Sequence, residues 1–198
     1  MIVLGITGGI GSGKSTVSRI LQLRGVPLYD TDARAKALCD ADPELRQALV
    51  NHFGADIYPA SLQGKLDRKR LAALAFASES QTAKLNALVH PVVLRDLLVY
   101  LASCRERGEK IVLVESALLH SSGFDRYMSS VVAVVADEPV CLARAMLRDG
   151  ANEAQVRERM GKQLSPEVVA QKADWVIRNN EGDLILPQLD ELWSAIGL

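Results

Sequence analysis

The residues best suited to chemistry are a lysine and two hydroxyls that end a glycine-rich stretch, residues 5–16, which reads GITGGIGSGKST. Gly8, Gly13, Lys14 and Ser15 fit the spacing G-x-x-x-x-G-K-[ST]. Glycines allow successive backbone N–H groups to point at one concavity, next to the positive end of the following helix dipole. A triphosphate fits such a concavity, with Lys14 on its β- and γ-phosphates and the Ser15 hydroxyl on Mg²⁺.

The segments on either side of this loop support the interpretation. Residues 2–6, IVLGI, form a continuous apolar run typical of a buried strand, and apolar residues recur at helical spacing from Val17 to Leu21, before Gly25. The alternative is the glycine-rich turn of a dinucleotide-binding fold, which needs no Lys-Ser pair but favours an acidic residue at the end of the second strand. Asp30 occupies that place, so the alternative stays open at this point.

Three acidic residues follow predicted strands. Asp30 and Asp32 come after a strand predicted at 26–29, and a carboxylate at this rim of a parallel sheet can take a proton from an attacking hydroxyl. Asp32 could equally cap a helix that starts at Ala33. Glu115 ends the run IVLVE and is a candidate to bind a metal or hold water, with a purely structural carboxylate as the alternative.

Basic residues dominate a later segment that has few large apolar side chains. Arg144 and Arg148 are four positions apart, on one face of a predicted helix, and Arg157, Arg159 and Lys162 follow. A solvated helix face would explain such a charge run. Phosphoryl transfer, however, needs cations over the γ-phosphate, and a mobile arginine lid would supply them and exclude water.

The remaining periodicity predicts an α/β fold with a parallel sheet of about five strands. Short apolar runs at 111–114, 131–136 and 174–177 are typical of strands buried on both faces. Between the second and third strands the pattern is helical. We therefore divide the chain into a core, a helical insertion and a lid: 1–33, 109–143 and 171–198 for the core, 34–108 for the insertion and 144–170 for the lid.

Composition narrows the class of protein further. Among 198 residues, 48% are hydrophobic and 24% charged, which is ordinary for a folded protein with one sizeable core. The formal net charge is -1 with no long basic run, so we expect neither nucleic acid nor a membrane as partner. The start of the chain lacks the pattern of a signal peptide and the three cysteines have no metal-site spacing, so we expect a cytoplasmic protein.

Several motifs, in order along nearly the whole chain, resemble those of the dephospho-coenzyme A kinase family. They are TGGIGSGKST, the DTD at 30–32, LDRKRLAALAF, the His-Pro pair at 90–91 and ADWVIRNNEG. The resemblance implies a three-layer P-loop α/β/α fold like that of nucleoside monophosphate kinases. It also implies the reaction, in which ATP phosphorylates the 3′-hydroxyl of dephospho-coenzyme A, the last step of coenzyme A synthesis.

The resemblance also implies roles for individual residues. Asp32 matches the family's proposed base, and Arg144 its lid arginine, with Arg148 beside it; Lys14 joins them as a catalytic residue. The implied ATP contacts are Gly9, Gly11, Ser12, Gly13, Lys14, Ser15, Thr16 and Asn179, and Asn180 lies with Asn179 in the segment expected near the adenine. The implied acceptor-binding residues, all within 32–95, are Asp32, Lys36, Arg68, His90 and Arg95. Ser15, with Glu115 as a second candidate, is expected to hold Mg²⁺.

The chain departs from the family pattern in two places. Relatives usually read PLLxE after the third strand, whereas this chain has Ala117 for the proline and Ser121 for the glutamate. Lys36 stands where an arginine is common, and lysine keeps the charge but loses the planar two-pronged grip on an anion.

Two other functions compete with this hypothesis. Another P-loop kinase would keep the loop and the lid but recognise a different acceptor through 34–108. A P-loop switch module is the rival of a different class, but it should carry a DxxG sensor after the third strand and a guanine-reading N/TKxD element, and the sequence has neither. ATP and a small-molecule acceptor are therefore the expected partners, and we favour a monomer.

Overall fold

A computed structural model describes residues 1–197. The chain divides into two compact units. One comprises Met1–Tyr29 together with the chain from Cys104 onward, and the other comprises Asp30–Ser103.

Five strands form one all-parallel sheet in the first unit, as the apolar runs predict. The strands are β1 (Ile2–Thr7), β2 (Leu28–Asp30), β3 (Ile111–Glu115), β4 (Ser130–Val135) and β5 (Trp175–Arg178). Their order across the sheet is β2-β3-β1-β4-β5, so β1 lies in the centre. Strand β2 begins later than the predicted residue 26, because the N–H of Val26 still bonds to the Leu21 carbonyl at 3.3 Å, in the turn that ends the preceding helix.

Nine α-helices are described in residues 1–197. They are α1 (Lys14–Leu23), α2 (Thr31–Ala41), α3 (Pro43–Phe53), α4 (Arg68–Ala75), α5 (Glu79–Glu106), α6 (Glu138–Asp149), α7 (Glu153–Met160), α8 (Pro166–Gln171) and α9 (Ile185–Ala195). Short 3₁₀ turns occur at Ala55–Ile57, Ala60–Leu62 and Phe124–Tyr127. Pro139 lies in the first turn of α6, where proline is tolerated because its missing N–H would have no partner there.

The core of the first unit is built from the two faces of the sheet. Leu4, Ile6 and Val132 are completely buried, and Val17 of α1 and Leu189 of α9 pack in the same cluster. Continuous apolar strands are suited to this position because helices cover both faces of a parallel sheet. Burying these side chains fixes β1 and α1, and with them the two ends of the glycine loop.

The unit Asp30–Ser103 has a helical core of its own. Leu45, Leu49, Ile57 and Leu71 are buried in one cluster, and residues of α5 pack against it. The acidic residues between helices act as caps: Asp42 accepts from the N–H of Leu45 at 2.9 Å, at the start of α3. Such a cap satisfies an otherwise unpaired amide and typically contributes about 1 kcal/mol.

Helix α5 is long and apolar enough, by length and composition alone, to cross a membrane. Arg95 and Asp96 lie in the middle of it and form salt bridges, with Asp42 and Arg34 respectively. Its residue Leu97 is completely buried within the protein. The core helix of a folded protein passes the same test, so this helix is weak evidence for a membrane.

Candidate active site

The glycine loop connects β1 to α1 and is shaped by two close approaches of other segments. Gly13 has φ 99°, a left-handed conformation that glycine adopts without strain. A Cβ at Gly13 would collide with the side-chain nitrogen of Asn179, and one at Gly11 would collide with the Cys141 carbonyl oxygen. Both glycines are therefore required by neighbours as well as by the turn itself.

Lys14 lies at the first position of α1, and its side chain turns back over the loop. Its ammonium donates to the carbonyl of Gly8 at 2.7 Å and to that of Gly9 at 3.1 Å. Ser15 and Thr16, in the same first turn, are exposed. The helix start therefore presents two hydroxyls and the positive end of the helix dipole beside a lysine, a combination that favours phosphate binding.

Asn179 and Arg144 come together behind this loop, although they are far apart in sequence. The Asn179 side-chain amide donates to the Ser12 carbonyl at 2.8 Å. Arg144, half-buried on α6, donates to the Asn179 carbonyl at 2.8 Å. The structure thus brings three predicted site residues into one chain of contacts that ends on the loop.

Other residues of the motif ADWVIRNNEG hold β5 in place. Asp174 accepts from the N–H of Val131 at 2.7 Å, and the Asn180 side chain accepts from the N–H of Asp137 at 2.7 Å. These contacts fix β5 against β4 and the start of α6 against the turn after β5. They hold Asn179 at the loop.

Arg148 is engaged differently from Arg144, although both lie on α6. Arg148 grips Asp149 through two nitrogens, at 2.7 and 3.1 Å, and Arg159 of α7 reaches the same carboxylate at 2.8 Å. The two guanidinium groups hold the pKa of Asp149 well below its usual range. Arg148 and Arg159 therefore share one carboxylate in this conformation.

The charged side chains of α7 also form ion pairs, within the helix and with residues before and after it. Arg157 bonds to Glu153 at 2.8 Å and also to Glu138, and Lys162 bonds to Glu158 at 2.7 Å. Exposed ion pairs of this kind are typical of a solvated helix face, the alternative explanation for the many basic residues of this segment.

Asp30 and Asp32 have separate roles at the start of α2. Asp30 is the N-cap: its Oδ1 accepts from the N–H groups of Asp32 and Ala33 at 2.9 and 3.0 Å. The alternative that Asp32 caps a helix starting at Ala33 is therefore wrong, because the helix starts at Thr31. The Asp32 carboxylate stands in the first turn and is exposed.

The predicted acceptor-binding cations lie in the second unit and contact carboxylates there. Arg68 donates to Asp40 at 2.5 Å and to the Lys36 carbonyl at 3.2 Å. Arg95 donates to Asp42 at 2.8 Å. The structure brings Arg68 next to Lys36.

His90 lies in α5, directly before Pro91, and is half-buried. Burial lowers the pKa of its imidazole below the usual value of 6.5. Burial therefore favours the neutral form of the ring, which has one donor and one acceptor nitrogen and no charge.

The candidate magnesium site depends on few protein ligands. Within residues 1–197, no three His, Cys, Asp or Glu side chains are placed to hold a metal together. Mg²⁺ characteristically keeps several waters and takes substrate phosphates with one or two protein oxygens, and a hydroxyl or a carboxylate is a donor of the kind it takes. The exposed Ser15 is in the first turn of α1, and Glu115, at the end of β3, is aligned with Ile6 of β1 just before the loop.

A cavity of about 170 Å³ opens beside Gly8 and Gly9 and shows residues that the sequence reasoning missed. Gln163 and His120 line it, together with Ala117 and Ser121, the two departures from the family pattern. The Nδ1 of His120 bonds to Asp125 at 2.9 Å. No short motif marks Gln163 or His120, since each reaches the loop region only through folding.

The fold and this loop define the class: the protein has the P-loop nucleotide-binding fold. Among solved structures of similar fold is a dephospho-CoA kinase from Campylobacter jejuni, with a TM-score of 0.66 and 22% identity, which covers 98% of this chain and 94% of that one. A Thermus thermophilus protein of solved structure aligns with a TM-score of 0.81 and 31% identity, over 98% of this chain and 95% of its own.

The sequence comparisons identify the family. The family model described as dephospho-CoA kinase matches residues 2–184. A dephospho-CoA kinase from Porphyromonas gingivalis is 42% identical over 197 residues, which is 99% of this chain and 95% of the relative. The chain belongs to the dephospho-CoA kinase family.

Proposed function

We propose that this protein transfers the γ-phosphoryl group of ATP to the 3′-hydroxyl of dephospho-coenzyme A, which gives coenzyme A and ADP. Membership of the family supports the choice of acceptor. The observation that carries the proposal is the loop itself, where Lys14 lies at the start of α1, which no side chain caps, and Asn179 supports the loop at Ser12.

The chemistry needs few groups, because phosphoryl transfer depends mainly on positioning and on charge compensation. Lys14 and the loop amides bind the β- and γ-phosphates. Asp32 accepts the proton of the attacking hydroxyl, which breaks its O–H bond as the new O–P bond forms and the bond to ADP breaks. Arg144 and Arg148 offset the charge that develops on the transferred group.

Mg²⁺, when bound, would lower the cost of bringing the phosphate charges together. The Ser15 hydroxyl would ligate it, with Glu115 holding one of its waters. These two assignments rest on the fit between the small donor set and the preferences of this ion.

The acceptor side is proposed to be the helical part of the chain, 34–108, with Lys36, Arg68, His90 and Arg95 as contacts. Residues 144–170 are proposed to act as the lid over ATP, with 1–33, 109–143 and 171–198 as the nucleotide-binding core. Free, buried Cys39, Cys104 and Cys141 support a reducing compartment, the cytoplasm. We further propose that the enzyme works as a monomer.

One assay tests the function. ADP release is followed through coupling enzymes with ATP, Mg²⁺ and, in parallel, dephospho-coenzyme A, adenosine, AMP or no acceptor. We expect turnover with dephospho-coenzyme A only. A kinase for another acceptor would ignore dephospho-coenzyme A, and a switch module would release ADP at the same rate without any acceptor.

A further inference from the structure

Gln163, in the segment after α7, contacts the glycine loop at Ile10, between Gly9 and Gly11. Its side-chain oxygen accepts from the backbone N–H of Ile10 at 2.9 Å, across 153 positions of sequence. The turn that carries Gln163 is itself closed, since the N–H of Gln163 donates to the Met160 carbonyl at 3.0 Å. The acceptor is thus held at the end of α7.

Ile10 is held by its side chain as well. It packs against the buried cluster of Leu142, Ala145 and Val156, as Met160 of α7 also does. Ile10 is therefore held at two points, its backbone amide by Gln163 and its side chain by residues of α6 and α7. Neither contact comes from the loop itself.

This double attachment matters because of the residues on either side of Ile10. Gly9 and Gly11 have wide backbone freedom. Without these contacts, residues 9–11 would sample many conformations and would lose that conformational entropy when phosphates bind. A contact that orders these residues beforehand removes part of this entropic cost from binding.

We infer that Gln163 is a positioning residue of the nucleotide site, which holds the Ile10 peptide in the shape that the phosphates require and links α7 to the loop. The inference deepens the proposed function and rests on nucleotide binding at this loop. Gln163 also lines the cavity beside Gly8 and Gly9, so its side chain lies next to the loop along more than one residue.

The first test needs no ligand. Amide hydrogen exchange at Ile10 is measured by NMR in the nucleotide-free protein. We expect Gln163→Ala to speed exchange at Ile10 at least tenfold and Gln163→Glu to keep the protection, because it keeps the acceptor oxygen. Gln171→Ala, an exposed residue at the end of α8, should change nothing. Unchanged exchange in Gln163→Ala would overturn the inference.

The second test measures ATP binding by calorimetry and the steady-state constants. We expect Gln163→Ala to raise the Kd of ATP and its KM by about fivefold to tenfold, the range of one net hydrogen bond. The KM of dephospho-coenzyme A and kcat at saturating ATP should stay within twofold. An unchanged Kd would make the contact merely structural, and a lower Kd would mean that Gln163 competes with the nucleotide; either result contradicts the inference.

Two controls separate the possible failures. Far-UV circular dichroism reports whether Gln163→Ala folds, and Gln163→Asn, one methylene shorter, replaces it if it does not. If the unmodified protein binds no ATP, the proposed function fails, whereas the exchange result at Ile10 still decides whether Gln163 orders the loop.

Discussion

The phosphate loop and the helical unit Asp30–Ser103 both hold predicted ligand-binding residues, but they hold them in opposite ways. At the loop, backbone and side chains from distant segments, such as the Cys141 carbonyl and Asn179, fix the shape from outside. In the helical unit, the predicted cations Arg68 and Arg95 are exposed and pair with carboxylates.

The difference shows which kind of site a sequence specifies strongly. A loop that packs against its neighbours tolerates only certain residues at certain spacings, so its pattern survives as a motif. A surface of exposed ion pairs restricts geometry little, because each pair is weak and either partner can change. Mutations should therefore act on chemistry and ATP at the loop, and on acceptor binding in the helical unit.

The largest expected effect is an exception to this division between the loop and the helical unit. It is an effect on chemistry, yet it comes from Asp32, a residue of the helical unit. Asp32→Asn should lower kcat about 10³-fold, within the range for a lost general base, with the Kd of ATP unchanged. Asp30→Asn is the matched control: asparagine still caps α2, so kcat should stay within a few-fold. Rapid-quench turnover at saturating substrates measures both. Equal kcat values for Asp32→Asn and the unmodified enzyme would remove Asp32 as the base.

Next in size is the loop lysine. Lys14→Ala should lower kcat/KM at least about 100-fold, since a preorganised charge on the transferred phosphates is worth about 3 kcal/mol or more. The coupled ADP assay over a range of ATP concentrations provides the value. Lys172→Ala, at the exposed end of α8, serves as the control and should leave kcat/KM unaltered. Near-normal turnover of Lys14→Ala would contradict the assignment of the loop.

How far the sequence predicted the molecule follows the same division. Apolar runs located all five strands, with their ends displaced by only one or two residues, because burial on both faces leaves an unmistakable pattern. The loop residues were found by spacing. Gln163 could not be found, because its partner Ile10 is 153 positions away and a single glutamine carries no periodicity.

The acidic residues show a second limit of sequence reasoning. The sequence allowed Asp32 as a helix cap, whereas Asp30 takes that role, and the two possibilities differ by a shift of only two residues in the helix start. The pairing of Arg148 with Asp149 was equally hidden, since adjacent charges give no signal of which rotamer they adopt. Local geometry, not residue type, decides both cases.

A smaller effect tests the helical unit directly. Arg68→Ala should raise the KM of dephospho-coenzyme A about fivefold, as expected for one exposed charged contact, and leave the KM of ATP unchanged. Arg70→Ala is the matched control, because Arg70 lies on the same helix and pairs with Asp56 at 2.8 Å. Initial rates with each substrate varied in turn separate the two constants. A rise in the KM of ATP instead would assign Arg68 to the nucleotide side.

The smallest effect concerns Asp149, the carboxylate that pairs with Arg148. Its removal tests whether this ion pair holds Arg148, as the ion pairs of the helical unit hold Arg68 and Arg95. Its two arginine partners hold the folded-state pKa of this carboxyl below its ordinary value of 3.8. The folded protein thus binds this proton less readily than the unfolded chain does. The resulting stabilisation is complete above about pH 5 and is lost as the pH falls below about 4, toward the folded-state pKa.

Asp149→Asn should therefore lower the free energy of unfolding by about 1 kcal/mol at pH 7 and at pH 5, and by less at pH 3.5. Urea unfolding of both proteins at the three pH values measures the difference, and Asp190→Asn, which breaks a single exposed pair with Arg24, should change it less. A full difference would show that the pairs of Asp149 with Arg148 and Arg159 stabilise the resting fold, so that Arg148 must leave Asp149 before it can reach a phosphate. No difference at pH 7 would mean that the Arg148–Asp149 pair adds nothing to the free energy of unfolding. Arg148 could then leave Asp149 and bind ATP at no cost in stability, and it would belong with Arg144 among the residues of the nucleotide site.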